Sequence, residues 1–155
     1  MRDASGKVLS VETINLTYVL PSEKHVVACS LQGDGLDVAT IEYSASVKKN
    51  SWEKINSETV HVSDFAISGQ SEQNSAYSKS WVGEITNNSG ADYEGFTSYV
   101  VLKNQGKIVT GFIGYGYDTP LPRGVATPFE IKSAVIGETQ PIYDSYEIYI
   151  YPKLI

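Results

Sequence analysis

The chain has 155 residues, of which 41% are hydrophobic and 19% charged, and it carries a net charge of −6 with a pI near 4.8. This acidic balance argues against nucleic-acid binding, which needs Lys and Arg to neutralise phosphates, and no basic run favours an anionic membrane surface. The single cysteine excludes an internal disulfide and a metal site with several Cys ligands. Eleven Tyr against one Met favour a β-protein, and no run reaches the roughly 20 apolar residues of a membrane span.

Four candidate strands precede residue 68, each apolar or alternating between apolar and polar residues. They cover residues 8–20, 25–31, 39–49 and 54–67, and in the last of these Val60, Val62 and Phe65 are expected to face inward. Turn signals rich in Pro, Gly, Asn and Asp follow the first three at 21–24, 32–35 and 50–51. Cys29 has apolar neighbours in the second of these strands, so we expect a buried and unreactive strand residue there.

Residues 68–80 (SGQSEQNSAYSKS) are the most polar stretch of the chain. This composition is compatible with a linker, with a surface loop, or with the tip of a long hairpin whose arms begin at 66–67 and 81–82. The composition does not choose among these three alternatives.

The second half reads as an antiparallel meander, because apolar runs are separated by Asn/Gly-rich and Pro/Gly-rich breaks. Strands are predicted near 81–87, 95–103, 107–117 and 126–132, with a last strand from Ser145 to Tyr151. No segment shows a sustained helical period with caps. The pattern therefore predicts an all-β fold, an immunoglobulin-like antiparallel β-sandwich.

The order of strand, turn and charge recurs at a spacing of about 50–55 residues, which indicates an internal repeat. The clearest match pairs IEYSASVKKN at 41–50 with FTSYVVLKNQG at 96–106. Two arrangements follow: two units, 1–58 and 59–155, or one composite sandwich over 8–155. A unit as short as the first would depend on its neighbour for burial.

Residues 81–131 resemble the FxLYD domain, a bacterial extracytoplasmic β-sandwich family. WVGEITN at 81–87 is similar to the family's Val-Gly-Glu-Val-x-Asn strand end, and NQGKIV at 104–109 to its Asp-Gly-Lys-Val-Val turn. LPRG at 121–124 and PFEI at 128–131 are similar to its Leu-x-Pro-Gly and Pro-Phe loop, whereas the namesake Leu-Tyr-Asp is replaced by LKN at 102–104. The first half would be a diverged copy.

The resemblance implies an extracellular or cell-surface location in a secreted protein or lipoprotein, and it implies no catalytic site. The opening MRDASGKVLS has no apolar signal region, so we expect a signal peptide or lipid anchor to have been removed from this sequence. The chain contains two histidines, His25 and His61, as candidate general bases. Neither has a nucleophile motif or an acidic partner at a telling spacing, which predicts that the chain is not an enzyme and needs no cofactor.

Four acidic residues occupy turns at equivalent places of the two halves. They are Asp34, Asp37, Asp92 and Glu94. We expect solvated turn residues, because Ca²⁺ prefers six to eight oxygen ligands in a recognisable loop. A calcium site at Asp34, Asp37 and Asp92 is the open alternative.

Gly111, Gly114 and Gly116 lie within TGFIGYGY at 110–117, where they predict close approach of a bulky neighbour or another backbone. The aromatic residues nearby form a candidate binding surface. Its members are Tyr115, Tyr117, Tyr149 and Tyr151, together with Trp52 in a polar turn. Such a face is typical of core packing, of a protein-partner surface or of a sugar-stacking platform.

These features predict a non-catalytic module that acts as a spacer or protein-interaction domain of a bacterial secreted or cell-surface protein. The alternative is a carbohydrate- or calcium-binding module. The final strand, Ser145 to Tyr151, is rich in Tyr and Ile and carries few charges, so we expect it either to pair internally or to form a homodimer by strand addition.

Overall fold

The structure is a computed structural model that describes residues 1–16, 23–29, 37–46, 60–75, 78–133 and 141–153. The chain divides into two compact units. The first consists of Met1–Tyr18 and Cys29–Ser57, and the second of Val19–Ala28 and Glu58–Ile155. The second unit therefore takes in a segment that lies, in sequence, inside the predicted first unit.

All six strands of the described residues belong to the second unit. They are β1 (Phe65–Asn74), β2 (Lys79–Asn87), β3 (Phe96–Asn104), β4 (Lys107–Gly116), β5 (Ala126–Lys132) and β6 (Ser145–Pro152). Antiparallel pairing gives two three-stranded sheets, in the orders β1-β2-β5 and β4-β3-β6. A three-residue 3₁₀ helix, Val62–Asp64, precedes β1. The all-β prediction is confirmed.

The inward faces of both sheets contribute to one hydrophobic core, which makes the second unit sandwich-like. Its buried members are Phe65, Trp81, Ile85, Tyr93, Phe96, Val100, Leu102, Leu121, Phe129, Ile131 and Ile150. Alternation explains the arrangement, since successive side chains of a strand point to opposite faces. Ile148 and Ile150 face this core as the sequence predicted, while Tyr149 and Tyr151 face outward.

The predicted strands of the second half coincide with β2 to β6 to within about two residues. The polar stretch 68–80 is a long hairpin, because β1 continues to Asn74 and the turn closes through the Ser75 N–H bond to the Ser78 carbonyl at 2.8 Å. The predicted last strand pairs internally with β3 along its whole length.

The strand predictions for 8–20, 25–31 and 39–49 are wrong wherever the structure describes them. Residues 8–16, 25–29 and 39–46 contain no strand, and only isolated bridges join Arg2 to Val8 and to Thr40. Val11 and Tyr43 are 78% and 95% exposed, and no sheet of the described residues buries the apolar face of the alternating pattern. Strand propensity reflects a half-buried surface and does not by itself create a partner strand.

The predicted strand 54–67 is confirmed only from Phe65 onward, because Val62–Asp64 form a 3₁₀ helix. Residues 54–59 lie outside the described residues.

Candidate functional site

The outward face of the β4-β3-β6 sheet carries most of the predicted aromatic surface. Pairing places Tyr115, Thr97 and Tyr151 in one cross-strand row. The next row contains Ile113, Tyr99 and Tyr149. We call the set Tyr99, Tyr115, Tyr117, Tyr149 and Tyr151 the tyrosine face; Trp52 lies outside the described residues. Tyr99 was missed by sequence reasoning, because its place in the second row depends on register with two strands.

Tyr115 and Tyr117 form the exposed part of the tyrosine face. Their side chains are 61% and 51% exposed, and their ring centroids lie 5.1 Å apart. Gly116 points inward beneath the Phe96 ring, where an added Cβ would lie 2.5 Å from the nearest ring carbon. The alternation of Gly and Tyr thus keeps both tyrosines near the surface, and the prediction of close approach at these glycines is confirmed.

Tyr99 and Tyr151 form the covered part of the same face. They are 6% and 3% exposed, and their rings meet edge to face at 5.8 Å. Burial raises the pKa of both hydroxyls, although a backbone hydrogen bond from Val26 partly offsets this for Tyr151. Side chains on the outer face of a two-sheet sandwich are buried only when another segment covers them.

Residues 23–28, which we call the strap, lie over this part of the face. The His25 ring stacks on the Tyr151 ring with centroids 4.0 Å apart and an angle of 21°. The Val26 N–H donates to the Tyr151 Oη at 2.8 Å. Ala28 lies against Gly111, where an added Cβ would be 3.6 Å from the Ala28 Cβ. One side chain of β6 therefore binds both a ring and a main-chain amide of the strap.

The beginning of the strap is fixed to the segment that enters β1. One Glu23 carboxylate oxygen accepts a hydrogen bond from the Val62 N–H at 3.0 Å, and the other lies 2.9 Å from His61 Nδ1. Both candidate general bases are therefore engaged in contacts of the strap. His25, a strap residue, stacks on Tyr151, and His61 pairs with Glu23. Burial lowers the pKa of the His25 imidazole.

A second polar cluster lies where the β1–β2 hairpin meets the segment before β6. Lys79 Nζ is 2.7 Å from a Glu72 carboxylate oxygen and donates to the Tyr143 Oη at 2.8 Å, and the Tyr143 hydroxyl donates to Glu72. Burial raises the pKa of the Glu72 carboxyl, but hydrogen bonds from Lys79 and Tyr143 outweigh it and lower that pKa. Because these opposite charges pair and satisfy each other's hydrogen bonds, the cluster joins the β1–β2 hairpin to the segment before β6.

A β-bulge brings Glu72 into this cluster. The β1–β2 register shifts between Ser68 and Ser71, where Gly69 adopts a φ of +61°. The extra residue turns Glu72 to the face of Trp81, its partner across the hairpin. No signal in the sequence distinguishes this position from the other polar residues of the stretch.

A shallow groove of about 410 Å³ opens beside the cluster, lined by Glu72, Lys79 and residues 141–146. Neither histidine lines it. Glu72 and Lys79 pair with each other, and the Asp144 carboxylate accepts hydrogen bonds from the Gln105 N–H at 2.7 Å and the Ser145 hydroxyl at 2.8 Å.

Two of the four turn acids, Asp92 and Glu94, form contacts within the second unit. The Asp92 Oδ1 accepts a hydrogen bond from the Arg123 N–H at 2.7 Å, and Glu94 pairs with Lys153 at 3.8 Å. Within the described residues, no three His, Cys, Asp or Glu side chains are placed to hold a metal ion. Asp37 belongs to the first unit, and Asp34 lies outside the described residues.

Cys29 is exposed, so the prediction of a buried strand residue is wrong. The reason is that the described part of 25–31 is not a strand, and Cys29 is the residue at which the chain leaves the strap for the first unit.

Comparisons with protein-family models, with curated proteins and with solved structures found no match to this chain. The resemblance to the FxLYD domain therefore stays a prediction. In the part of the chain that the structure describes, no helix has the length and apolar character needed to cross a membrane.

Proposed function

We propose that this chain is a non-catalytic, immunoglobulin-like β-sandwich module of a bacterial secreted or cell-surface protein, and that it binds another protein through the tyrosine face. The observation that carries the proposal is the exposed pair Tyr115, in the outer strand β4, and Tyr117, in the turn that follows it. Tyrosine is enriched at protein interfaces because it combines a large apolar ring with a hydroxyl that stays hydrogen-bonded.

The chemistry of β4 supports a protein partner. From Ile108 to Gly116 this outer strand has neither a charged residue nor a proline, and Ile108 and Val109 are 71% and 42% exposed. The outer strand β5 contains Pro128, and β6 contains Glu147. Charges and proline protect sheet edges from other chains, and β1, the remaining outer strand, contains Glu72. Among the outer strands of the two sheets, β4 therefore has the longest run without either.

The location and the family rest on the resemblance over 81–131, together with the two-sheet fold. A tandem or duplicated organisation remains part of the same proposal. A homodimer through Ser145 to Tyr151 would use the outer edge of this strand, because its other edge pairs with β3. The second candidate function is carbohydrate binding, which is favoured by two exposed rings with centroids 5.1 Å apart, since sugars stack on such rings.

Affinity capture from the envelope fraction of the source cells tests the proposal. The immobilised full-length Tyr115→Ser/Tyr117→Ser variant should lose a protein that the unaltered chain retains, because two apolar anchors are removed from the surface. The matched control is Tyr43→Ser, which removes an exposed tyrosine from the first unit and should retain the partner.

Equal capture by both variants would contradict the assignment of the surface. A glycan array separates the second candidate function, since binding of a defined sugar that is lost in the Tyr115→Ser/Tyr117→Ser variant would identify a sugar platform instead.

A further inference from the structure

The strap is attached to the second unit without belonging to its sheets or its core. None of its residues takes part in a β-ladder, and the core cluster of the described residues contains no strap residue. The β3 strand forms its ladders with β4 and β6 and with no strap residue. Opening of the strap would therefore break neither a ladder nor the core, which is the condition for a local opening at low free-energy cost.

Two side chains of the second unit account for the hydrogen bonds of the strap described above. Glu23 binds Val62 and His61 at its beginning. Tyr151 stacks on His25, accepts from the Val26 N–H and donates to the Lys24 carbonyl at 3.5 Å. The side chains of Lys24 and Val27, between and beside these contacts, are exposed.

Tyr151, which the strap contacts, is closed to solvent in spite of its outward direction. It is 3% exposed, whereas Tyr115 in the same row is 61% exposed. Tyr99 packs edge to face on the Tyr151 ring and is 6% exposed. The boundary between the covered and exposed parts of the tyrosine face thus runs beside the strap.

We propose that residues 23–28 are a displaceable strap that opens as one unit while both sheets stay folded, and that opening uncovers Tyr151 to enlarge the surface of Tyr115 and Tyr117. In this closed form the strap is an autoinhibitory contact. That regulatory consequence rests on the proposed function, whereas the opening itself does not require any partner.

Amide hydrogen exchange on the full-length chain tests the opening. Tyr151→Phe keeps the stacked ring but removes the acceptor of the Val26 N–H, and we expect about fivefold faster exchange at Val26, the effect of one hydrogen bond. The Val62 amide is bound by Glu23 at the other end of the strap. If the strap opens as one unit, exchange at the Val62 amide becomes faster as well. The reciprocal variant Glu23→Ala should accelerate both amides in the same way.

The control is Tyr149→Phe, which removes a hydroxyl on the same face of β6 as Tyr151. The Tyr149 hydroxyl donates to Glu147 at 2.6 Å, whereas the Tyr151 hydroxyl binds the strap. Tyr149→Phe should leave both amides unchanged. The exchange rates of β3 amides, such as that of Val100, should change less than twofold in every variant. This result would also show that each variant is folded.

Three results would overturn the proposal. The first is acceleration only at the amide whose acceptor was removed, which means that the two ends open separately. The second is equal acceleration in β3, which means that opening needs unfolding of the sheet. The third is an unprotected Val26 amide in the unaltered chain.

Uncovering is measured separately, by the broadening of the Tyr151 ring resonances with a soluble paramagnetic agent. Glu23→Ala should increase this broadening, and no increase would contradict the covering role. Failure of these experiments leaves the capture experiment on Tyr115 and Tyr117 unaffected, because that experiment concerns residues the strap does not cover.

Discussion

At the scale of single residues, Asn87 was predicted as a turn residue, and in the structure its side chain holds two loops together. Its side chain is completely buried and makes four hydrogen bonds. The amide nitrogen donates to the carbonyls of Ala91 and Leu121 at 2.8 and 2.9 Å, and the oxygen accepts from the Ser89 N–H and Oγ at 3.0 and 2.7 Å. This one side chain joins the loop after β2 to the loop before β5.

Asn87→Ala should lower the free energy of unfolding by about 2–3 kcal/mol, because buried carbonyls lose their donor. Urea denaturation of the full-length chain measures it. The neighbouring Asn88 is exposed, so Asn88→Ala should stay within about 0.5 kcal/mol of the unaltered chain. Similar values for the two variants would refute the role of Asn87.

Tyr149 provides a prediction for alkaline pH. The hydrogen bond that its hydroxyl donates to Glu147 at 2.6 Å, together with burial, raises the pKa of Tyr149 to about 12. Because the pKa in the folded state lies above the unfolded value of 10.0, the stabilisation is present below pH 10 and is lost as pH rises through about 12.

Glu147→Gln should return the pKa of Tyr149 toward its ordinary value, which an NMR titration of the ring resonances detects. Glu130→Gln is the matched control, since Glu130 pairs with Lys132 at 3.1 Å and should leave Tyr149 unchanged. A pKa of Tyr149 that does not differ between these two variants would contradict the assigned cause.

At the scale of elements, the bulge in β1 determines which side chains meet. The register shift after Ser68 turns Glu72 toward Trp81 and so makes the cluster with Lys79 and Tyr143. Without the extra residue, the alternation of the strand would place Glu72 on the outer face.

Gly69→Ala should destabilise the chain by about 1–2 kcal/mol, because a side chain disfavours the positive φ while nothing lies within 4 Å of the added Cβ. Ser71→Ala, at the other side of the bulge, is the control and should be nearly neutral in urea denaturation. An effect of Gly69→Ala no larger than that of Ser71→Ala would show that the bulge relaxes freely.

The strands of the second half were predictable from the sequence, because alternation and turn residues are local signals. The bulge was not, since a shift of one residue depends on pairing across the hairpin. The strap was not either, because the partner of Val26 is Tyr151, 125 residues further along the chain. The same reason explains why the tyrosine face was predicted as four aromatic residues of two strands without Tyr99.

At the scale of the whole molecule, the second unit is discontinuous in sequence. Val19–Ala28 belongs with Glu58–Ile155, while the flanking residues belong to the first unit. A boundary drawn at 58–59 would therefore remove the segment that contacts Tyr151. Studies of the tyrosine face need the full-length chain for this reason.

Site-specific photo-crosslinking tests the central claim, that the tyrosine face binds another protein. A photoreactive phenylalanine analogue replaces Tyr115 in the full-length chain, or replaces the exposed Tyr43 of the first unit as control. With the envelope fraction of the source cells, the account predicts a discrete protein adduct from position 115 that excess unaltered chain suppresses and excess Tyr115→Ser/Tyr117→Ser chain does not. Adducts from position 43 alone, or identical adducts from both positions, would contradict it.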